Sequence, residues 1–289
     1  MFLTKANYSP ADGQAGPGRL FTLHNEREMA VTISERGAAL MSWWAPDRYG
    51  RLADVVMPEP EGAMDVGLPS SLRRLAPDGW QGVLDGRSVS LRHAGGGLTV
   101  DVQYRLDDEG RLHIDQQVSA LDAATVDLGA HPRFNLSGGR GDVADHMLQI
   151  DADCYLKIDR GGIPLGVAQV EGSAFDFRKA AAIGPRLGWP DLQIGLAGGF
   201  GHCFSFSGRG SGPLRAVAQV VDPRSGRRLQ VATTEAGLSF STQVGEGKGL
   251  RLQPCSHPEQ LGASLAAAVI LGPRRVFRRT TVFQLSLKL

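Results

Sequence analysis

Two segments, LTVDVQY at Leu98–Tyr104 and LHIDQQV at Leu112–Val118, alternate apolar and polar residues at a period of two, with Asp107-Asp108-Glu109-Gly110 between them. A strand turns successive side chains to opposite faces, so this alternation fits a sheet with one buried and one wet face; a helix would spread the same residues around its circumference. The Asp-Asp-Glu-Gly break is a hairpin signal. The pattern recurs at Val89–Leu91, Leu214–Val221, Arg228–Thr233 and Leu238–Thr242, with DPRSG at Asp222–Gly226 as a turn. Earlier, Phe21, Val31–Ile33 and Leu40–Trp44 read as strands of a meander, broken at Asn25-Glu26 and Arg36-Gly37 and closed by a turn at Asp47–Gly50. Helical signals are sparse: the alanine-rich Leu261–Ile270 suits either a short helix or a strand before Gly272-Pro273.

Thirty-eight glycines and sixteen prolines supply turns for many short strands, and a 42% hydrophobic content is enough for a sizeable core. No short-period repeat and no low-complexity linker interrupts the chain, so the expectation is a flexible arm over 1–19 and one all-β domain over 20–289, built as a large two-sheet sandwich with few short helices. Thirty-one basic residues against thirty acidic ones leave a net charge of +1, which excludes the basic excess that tracks along nucleic acid and suits a small-molecule ligand. Neither a signal-peptide apolar core nor a membrane-length apolar run is present, and a cytoplasmic, membrane-free protein is expected. Cys154, Cys203 and Cys255 are widely spaced with no CxxC pair, so neither a disulfide framework nor a metal site is expected.

Among residues able to carry chemistry, His131 in LGAHPRFNLSGG stands after a strand and before a turn rich in Asn, Ser and Gly. An imidazole gives or takes a proton near neutrality, which suits it to acid–base work. The alternative is a histidine held by backbone hydrogen bonds at a strand end. Trp43-Trp44 must send one ring inward by strand alternation, and Trp80, beside Gly79 in a loop, is the better platform for stacking on a ring. Cys203 and Cys255 have no evident activating partner and are assigned no nucleophilic role.

The string His131, Phe134, Asn135, Leu136, Ser137, Gly138 resembles the HxxFNLSG segment around the catalytic acid of the aldose 1-epimerase (mutarotase) family. Val31–Val56 resembles that family's N-terminal strand pair with its PDR-x-G turn, and Asp222–Thr242 resembles its TTE-x-G-L segment. GGFGHCFSF and GLRLQPCSHPEQLG fall where two further site segments belong. The resemblance implies a galactose mutarotase-like β-sandwich, or supersandwich, that binds a sugar without a cofactor and opens and recloses its hemiacetal ring. In such enzymes a carboxylate takes the proton of the C1 hydroxyl while a protonated histidine donates to the ring oxygen.

Carried over residue by residue, His131 takes the acid position and Asn135 lies in the same string. Gln253, in Leu252-Gln253-Pro254, stands where the family has the Glu of an LEP string, and an amide can hydrogen-bond a hydroxyl but cannot accept its proton. Gly201, before His202, stands where a sugar-binding Asp belongs. The LHGG string has no counterpart in Leu68–Gly82, where Arg73 or Arg74 is the candidate for part of the vacated space and Trp80 the candidate for stacking on the sugar. His202 is either a replacement ligand contact or a structural histidine, and His257 and Glu259 lie just beyond the replaced base and are candidates for a displaced one. Three functions follow: an epimerase-like isomerase, a non-catalytic sugar-binding or sensing protein, and an isomerase or cyclase recruited to a less polar metabolite. Monomer and homodimer both remain open, since an edge strand can be paired or blunted.

Overall fold

The computed structural model describes residues 18–57, 72–74, 78–127, 132–206, 212–242, 249–256 and 268–288. The N-terminal third supplies β1 (Leu20–His24), β2 (Ala30–Ser34), β3 (Ala39–Pro46), β4 (Leu52–Asp54), β5 (Val56–Met57), β6 (Leu72–Arg74), β7 (Trp80–Asp85), β8 (Ser88–Gly95) and β9 (Leu98–Leu106). There follow β10 (Arg111–Ala120), β11 (Ala124–Asp127), β12 (Arg133–Phe134), β13 (Met147–Ile150), β14 (Cys154–Ile158), β15 (Pro164–Gln169) and β16 (Ala181–Ala182). Two short helices, α1 (Ile183–Leu187) and α2 (Leu192–Ala197), precede β17 (Gly201–Ser205), β18 (Arg215–Val221), β19 (Arg227–Thr233), β20 (Gly237–Ser241), β21 (Arg251–Cys255), β22 (Ala268–Leu271) and β23 (Val276–Leu287).

The period-two segments form the middle of a nine-stranded sheet, ordered β16-β13-β18-β19-β23-β10-β9-β8-β7. Leu112, Ile114, Gln116, Val118 and Ala120 of β10 are buried and the alternate residues are more open, as the alternation requires. At the β9–β10 hairpin, the Asp107 carboxylate accepts the backbone N–H groups of Glu109 and Arg111 at 3.1 and 2.9 Å. Burial pushes that carboxyl up, but its bonds from Arg111 and His113 outweigh burial and bring it down to about 2.

A five-stranded sheet, β15-β14-β17-β20-β21, supplies the second main layer. Its inner face carries Tyr155, Phe204, Leu238, Phe240 and Leu252, which join one continuous core running from Phe21 to Leu285. Phe175, Phe177 and Phe200 fill the adjoining space, with Phe175 stacked on Tyr155 at 4.0 Å between ring centroids and edge-on to Phe200 at 5.4 Å. Arg279, buried on β23, ties the two layers together: it donates to the Gln116 side-chain carbonyl at 2.8 and 2.7 Å and to the Pro254 carbonyl of β21 at 3.4 Å.

The N-terminal sheet, β1-β2-β3-β4, turns Trp43 inward, where it is fully buried. Of Leu261–Ile270, the described part begins at Ala268 and is strand. No helix among the described residues is long and apolar enough to cross a membrane.

Candidate functional site

His131 itself lies outside the described residues, as do His257 and Glu259; the segment that follows His131 is well defined. Arg133 and Phe134 form β12, paired with Met57 and Val56 of β5. Phe134 also exchanges both backbone bonds with Leu250, N–H to carbonyl at 2.7 and 2.9 Å. Leu250 immediately precedes β21, the strand that carries Gln253. The His131 segment is thereby docked, within three residues on either side, to the strand that carries Gln253.

Past Phe134 the backbone is held by side chains. Asn135 donates its amide to the Gly141 carbonyl at 3.0 Å, and its oxygen accepts from the Ser137 N–H at 3.0 Å and the Ser137 hydroxyl at 2.6 Å. Asn135 is fully buried, so these contacts make it the frame of its own turn. The Leu136 N–H donates to His146 Nε2 at 3.1 Å, and the Leu136 carbonyl accepts from Ser225 Oγ at 3.1 Å and Arg227 Nη1 at 2.9 Å. Arg227, 3% exposed, spends its other nitrogens on the carbonyls of Ala45 and Arg51. One guanidinium thus joins the His131 segment to the N-terminal sheet. Gly138 closes the turn at φ +73°, where a Cβ would lie 2.5 Å from the Ala53 Cβ.

Gln253 belongs to a row of side chains crossing the five-stranded sheet on the face opposite the aromatic core. It stands opposite Ser239, which stands opposite Cys203. The β14–β17 register continues the row to Leu156 and then to Val167. Leu156, Cys203 and Cys255 form a small buried cluster of their own, with the two sulfurs 3.8 Å apart. Contact with the Cys255 thiol, together with burial, holds the Cys203 thiol well above its ordinary range, so it is no nucleophile at neutral pH. This row contains no carboxylate: its polar members are the Ser239 hydroxyl and the Gln253 amide. Both can bind a hydroxyl, and neither is a proton acceptor near pH 7.

The other sequence candidates fall elsewhere. His202 is fully buried on the inner face, because the alternation that sends Cys203 outward sends its neighbour into the core. Its Nδ1 accepts from the Gly201 N–H at 3.2 Å, its Nε2 meets the Gln193 carbonyl oxygen at 3.2 Å, and its ring packs edge-on to Phe175 at 4.6 Å. Gln193 in turn bonds both backbone groups of Ile158, at 2.7 and 3.1 Å. Burial pushes the His202 imidazole down to about 4, partly opposed by Asp191. The side chain is a neutral brace between β17, α2 and β14, with no surface to offer a ligand. Trp80 is 6% exposed at the edge of the nine-stranded sheet, its ring 5.4 Å from that of His93, and does not join the Gln253 row. Arg73 lies in β6, parallel to β11 with Val126 as its partner.

Sequence reasoning passed over Ser239, His146, Arg227 and Arg279. Ser239 had a signal, since it sits in the strand that follows TTE. The other three act through tertiary contacts that no local pattern announces. A concavity of about 610 Å³ lies on the outer face of the nine-stranded sheet, away from the Gln253 row, and several of its polar groups are bonded to one another: Thr280 to Asp115 at 2.6 Å, Arg278 to Gln117 at 3.0 Å, and Arg92 beside Asp101 at 3.6 Å. Among the described residues no cluster of three or more His, Cys, Asp or Glu could hold a metal ion.

The family profile described as aldose 1-epimerase matches residues 88–284. The chain belongs to the aldose 1-epimerase family. It is 31% identical over 285 residues to the aldose 1-epimerase of Escherichia coli K12, covering 81% of each chain. With the galactose mutarotase of Bos taurus it shares 33% identity over 229 residues, covering 74% of this chain and 61% of the relative. Two solved members have the same fold: an aldose epimerase homologue from C. elegans (TM-score 0.72, 18% identity, 94% of this chain and 100% of that one) and a galactose 1-epimerase from Lactobacillus acidophilus (TM-score 0.69, 21% identity, 98% of each). The all-β sandwich is therefore the galactose mutarotase-like fold.

Proposed function

We propose that this protein binds the cyclic form of an aldose over Ser239 and Gln253 and interconverts its anomers by opening and reclosing the ring. The observation that carries the reading is the Phe134–Leu250 pairing, which docks the His131 segment onto the strand of Gln253. In the forward step His131, protonated, donates to the ring oxygen as the C1–O bond breaks, and the C1 hydroxyl gives up its proton as the aldehyde forms. Gln253 hydrogen-bonds that hydroxyl but does not take the proton, which passes to water or to a displaced base, for which Glu259 and His257 are the candidates. Reclosure on the other face reverses both transfers. A positioned proton-transfer group contributes about 10²–10⁴-fold, so the rate should lie below that of a family member with its Glu by roughly that factor.

Polarimetry on freshly dissolved α-D-glucose and α-D-galactose tests the reading. Enzyme-dependent loss of optical rotation, abolished in His131→Ala, supports it; no acceleration by the wild-type protein overturns it. A second reading, sugar binding without turnover, is favoured by the absence of a carboxylate from the Val167–Gln253 row. Calorimetric binding of the same sugars with no acceleration would select it. We also take residues 20–289 as one folding unit, a reading supported by the continuous core from Phe21 to Leu285.

A further inference from the structure

We infer that His146 is a positioning residue for the candidate site: its neutral imidazole, by accepting the Leu136 N–H, fixes the 132–137 segment, and protonation of the ring releases it. The inference rests on the reading that this segment forms part of the site.

A backbone N–H can only donate, so the 3.1 Å contact from Leu136 requires an unprotonated Nε2. In the neutral ring the proton then sits on Nδ1, which is buried and has no hydrogen-bond partner among the described residues. The ring is 1% exposed and its backbone is pinned on both sides: His146 N–H donates to the Val143 carbonyl, and the Ile183 N–H donates to the His146 carbonyl, both at 3.1 Å. It has little freedom to turn away from Leu136.

The charged groups around it are Asp142 and Asp145 on its own loop and Asp222 in the β18–β19 turn. Arg224 is engaged by Asp145 at 2.6 Å, and Arg227 shares the Leu136 carbonyl. None of these carboxylates bonds Nδ1. Burial lowers the imidazole's proton affinity, and the three carboxylates oppose that only in part.

A proton on Nε2 would set two donors against each other at 3.1 Å, so the bond to Leu136 is lost on protonation. Leu136 is adjacent to Asn135 and two residues from Phe134, whose pairing with Leu250 joins the two halves of the site. The segment is then left on the Arg227 and Ser225 bonds to the Leu136 carbonyl. This predicts an acid limb to any activity of the site, opposite in sign to the alkaline limb expected of His131, which must be protonated to donate.

The test follows the ring nitrogens of His146 by ¹⁵N NMR in the full-length protein, together with amide exchange across residues 132–137. The expected result is an unprotonated Nε2 at neutral pH, and a Leu136 opening equilibrium that shares the ring's midpoint and rises about tenfold per pH unit below it, after correction for intrinsic exchange. His146→Gln, which offers an acceptor that never protonates, should give an opening equilibrium independent of pH over the same range. A proton on Nε2 in the neutral ring, or the same pH dependence in His146→Gln, overturns the inference. Should that variant fail to fold, coincident or separate midpoints in the wild-type protein decide the matter. Polarimetry on α-D-galactose keeps the two readings apart. If the wild-type protein turns over, the acid limb of its rate profile should flatten in His146→Gln while the alkaline limb stays. If it does not, the proposed function fails and the exchange result still stands or falls by itself.

Discussion

Lowering the pH from 7 to 4 should cost the fold about 3 kcal/mol through His202 alone. The imidazole titrates near 6.5 in the unfolded chain and at about 4 in the native one, where burial disfavours its charge. Between those values the unfolded state binds a proton that the native state does not. Stability is therefore complete above pH 6.5 and is lost as the pH falls through the window, at up to about 1.4 kcal/mol per unit. The physical origin is visible in the contacts: Nδ1 must accept from Gly201, which a protonated ring cannot do, and the ring has no surface from which water could solvate the charge. The assay is urea denaturation at intervals between about pH 7.5 and pH 4, comparing the wild type with His202→Asn, whose amide oxygen can take the Gly201 bond. The variant should be less stable at pH 7, and the gap should narrow steadily toward pH 4. Carboxylates do not confuse the comparison: Asp107, native value about 2, loses its contribution below 3.8, and His146 is present in both proteins. A gap that stays constant across the window would refute the reasoning.

Gln253→Glu should raise the mutarotation rate of a sugar that the wild-type protein turns over, by an amount within the roughly 10²–10⁴-fold range of a positioned base; an unchanged rate would mean that residue 253 does not face the C1 hydroxyl. Arg227→Lys should lower stability by roughly 2–4 kcal/mol, because one ammonium cannot serve the carbonyls of Ala45, Arg51 and Leu136 together, and a loss under about 1 kcal/mol in urea titration would contradict that. Gly138→Ala and Gly37→Ala both place a side chain at positive φ, but only residue 138 also meets an obstacle; the first should cost at least about 2 kcal/mol and the second about 1, and equal melting temperatures would reject the packing argument. Glu235 is fully buried with neither carboxylate oxygen bonded among the described residues, so Glu235→Gln should stabilise the fold by roughly 1–3 kcal/mol at pH 7, and a destabilisation would reveal a cation held against it.

The nine-stranded sheet was legible because its central strands are wet on one face, so LTVDVQY and LHIDQQV carry their orientation in their polarity. The five-stranded sheet was not. In β17 the residues after Gly201 are buried on both faces, and GHCFS offers no alternation from which to tell that His202 points inward and Cys203 outward. The sequence leaves His202 as either a ligand contact or a structural histidine, because its face is set by the register with Ser239 and Phe240 and not by its neighbours in the chain. The two helices escaped for a different reason: α1 spans five residues and α2 six, too few for a helical period, although Asp191 caps α2 and Gly198 ends it at φ +64°. Asn135 makes three bonds within its own turn, a use to which Asn is suited by local hydrogen bonding and which leaves the same sequence mark as a ligand contact.

The two halves of the candidate site are held by unrelated means, and this bears on how far its chemistry can change. Gln253 is placed by strand register and by the Arg279 bond to the neighbouring Pro254 carbonyl, neither of which involves its side chain. The segment after His131 is placed by the Leu250 pairing, His146 and Arg227, all acting on backbone atoms or on Leu136. A Glu or a Gln at position 253, or an Asp or a Gly at 201, therefore leaves this scaffold's anchors untouched. A carboxylate at position 253 would add nothing to the anchoring that these contacts supply, and its charge would need solvation beside Leu156, Cys203 and Cys255. The same independence means that Gln253→Glu, made alone, returns a base to a row otherwise made of Ser239 and apolar groups. Burial should push the introduced carboxyl above the ordinary range of about 4, opposed by Arg251, which strand alternation puts on the same face two residues away. A rate gain in Gln253→Glu that develops only above about pH 6 would be the signature of that environment, and one already complete at about pH 5 would show the row to be better solvated than its buried neighbours imply.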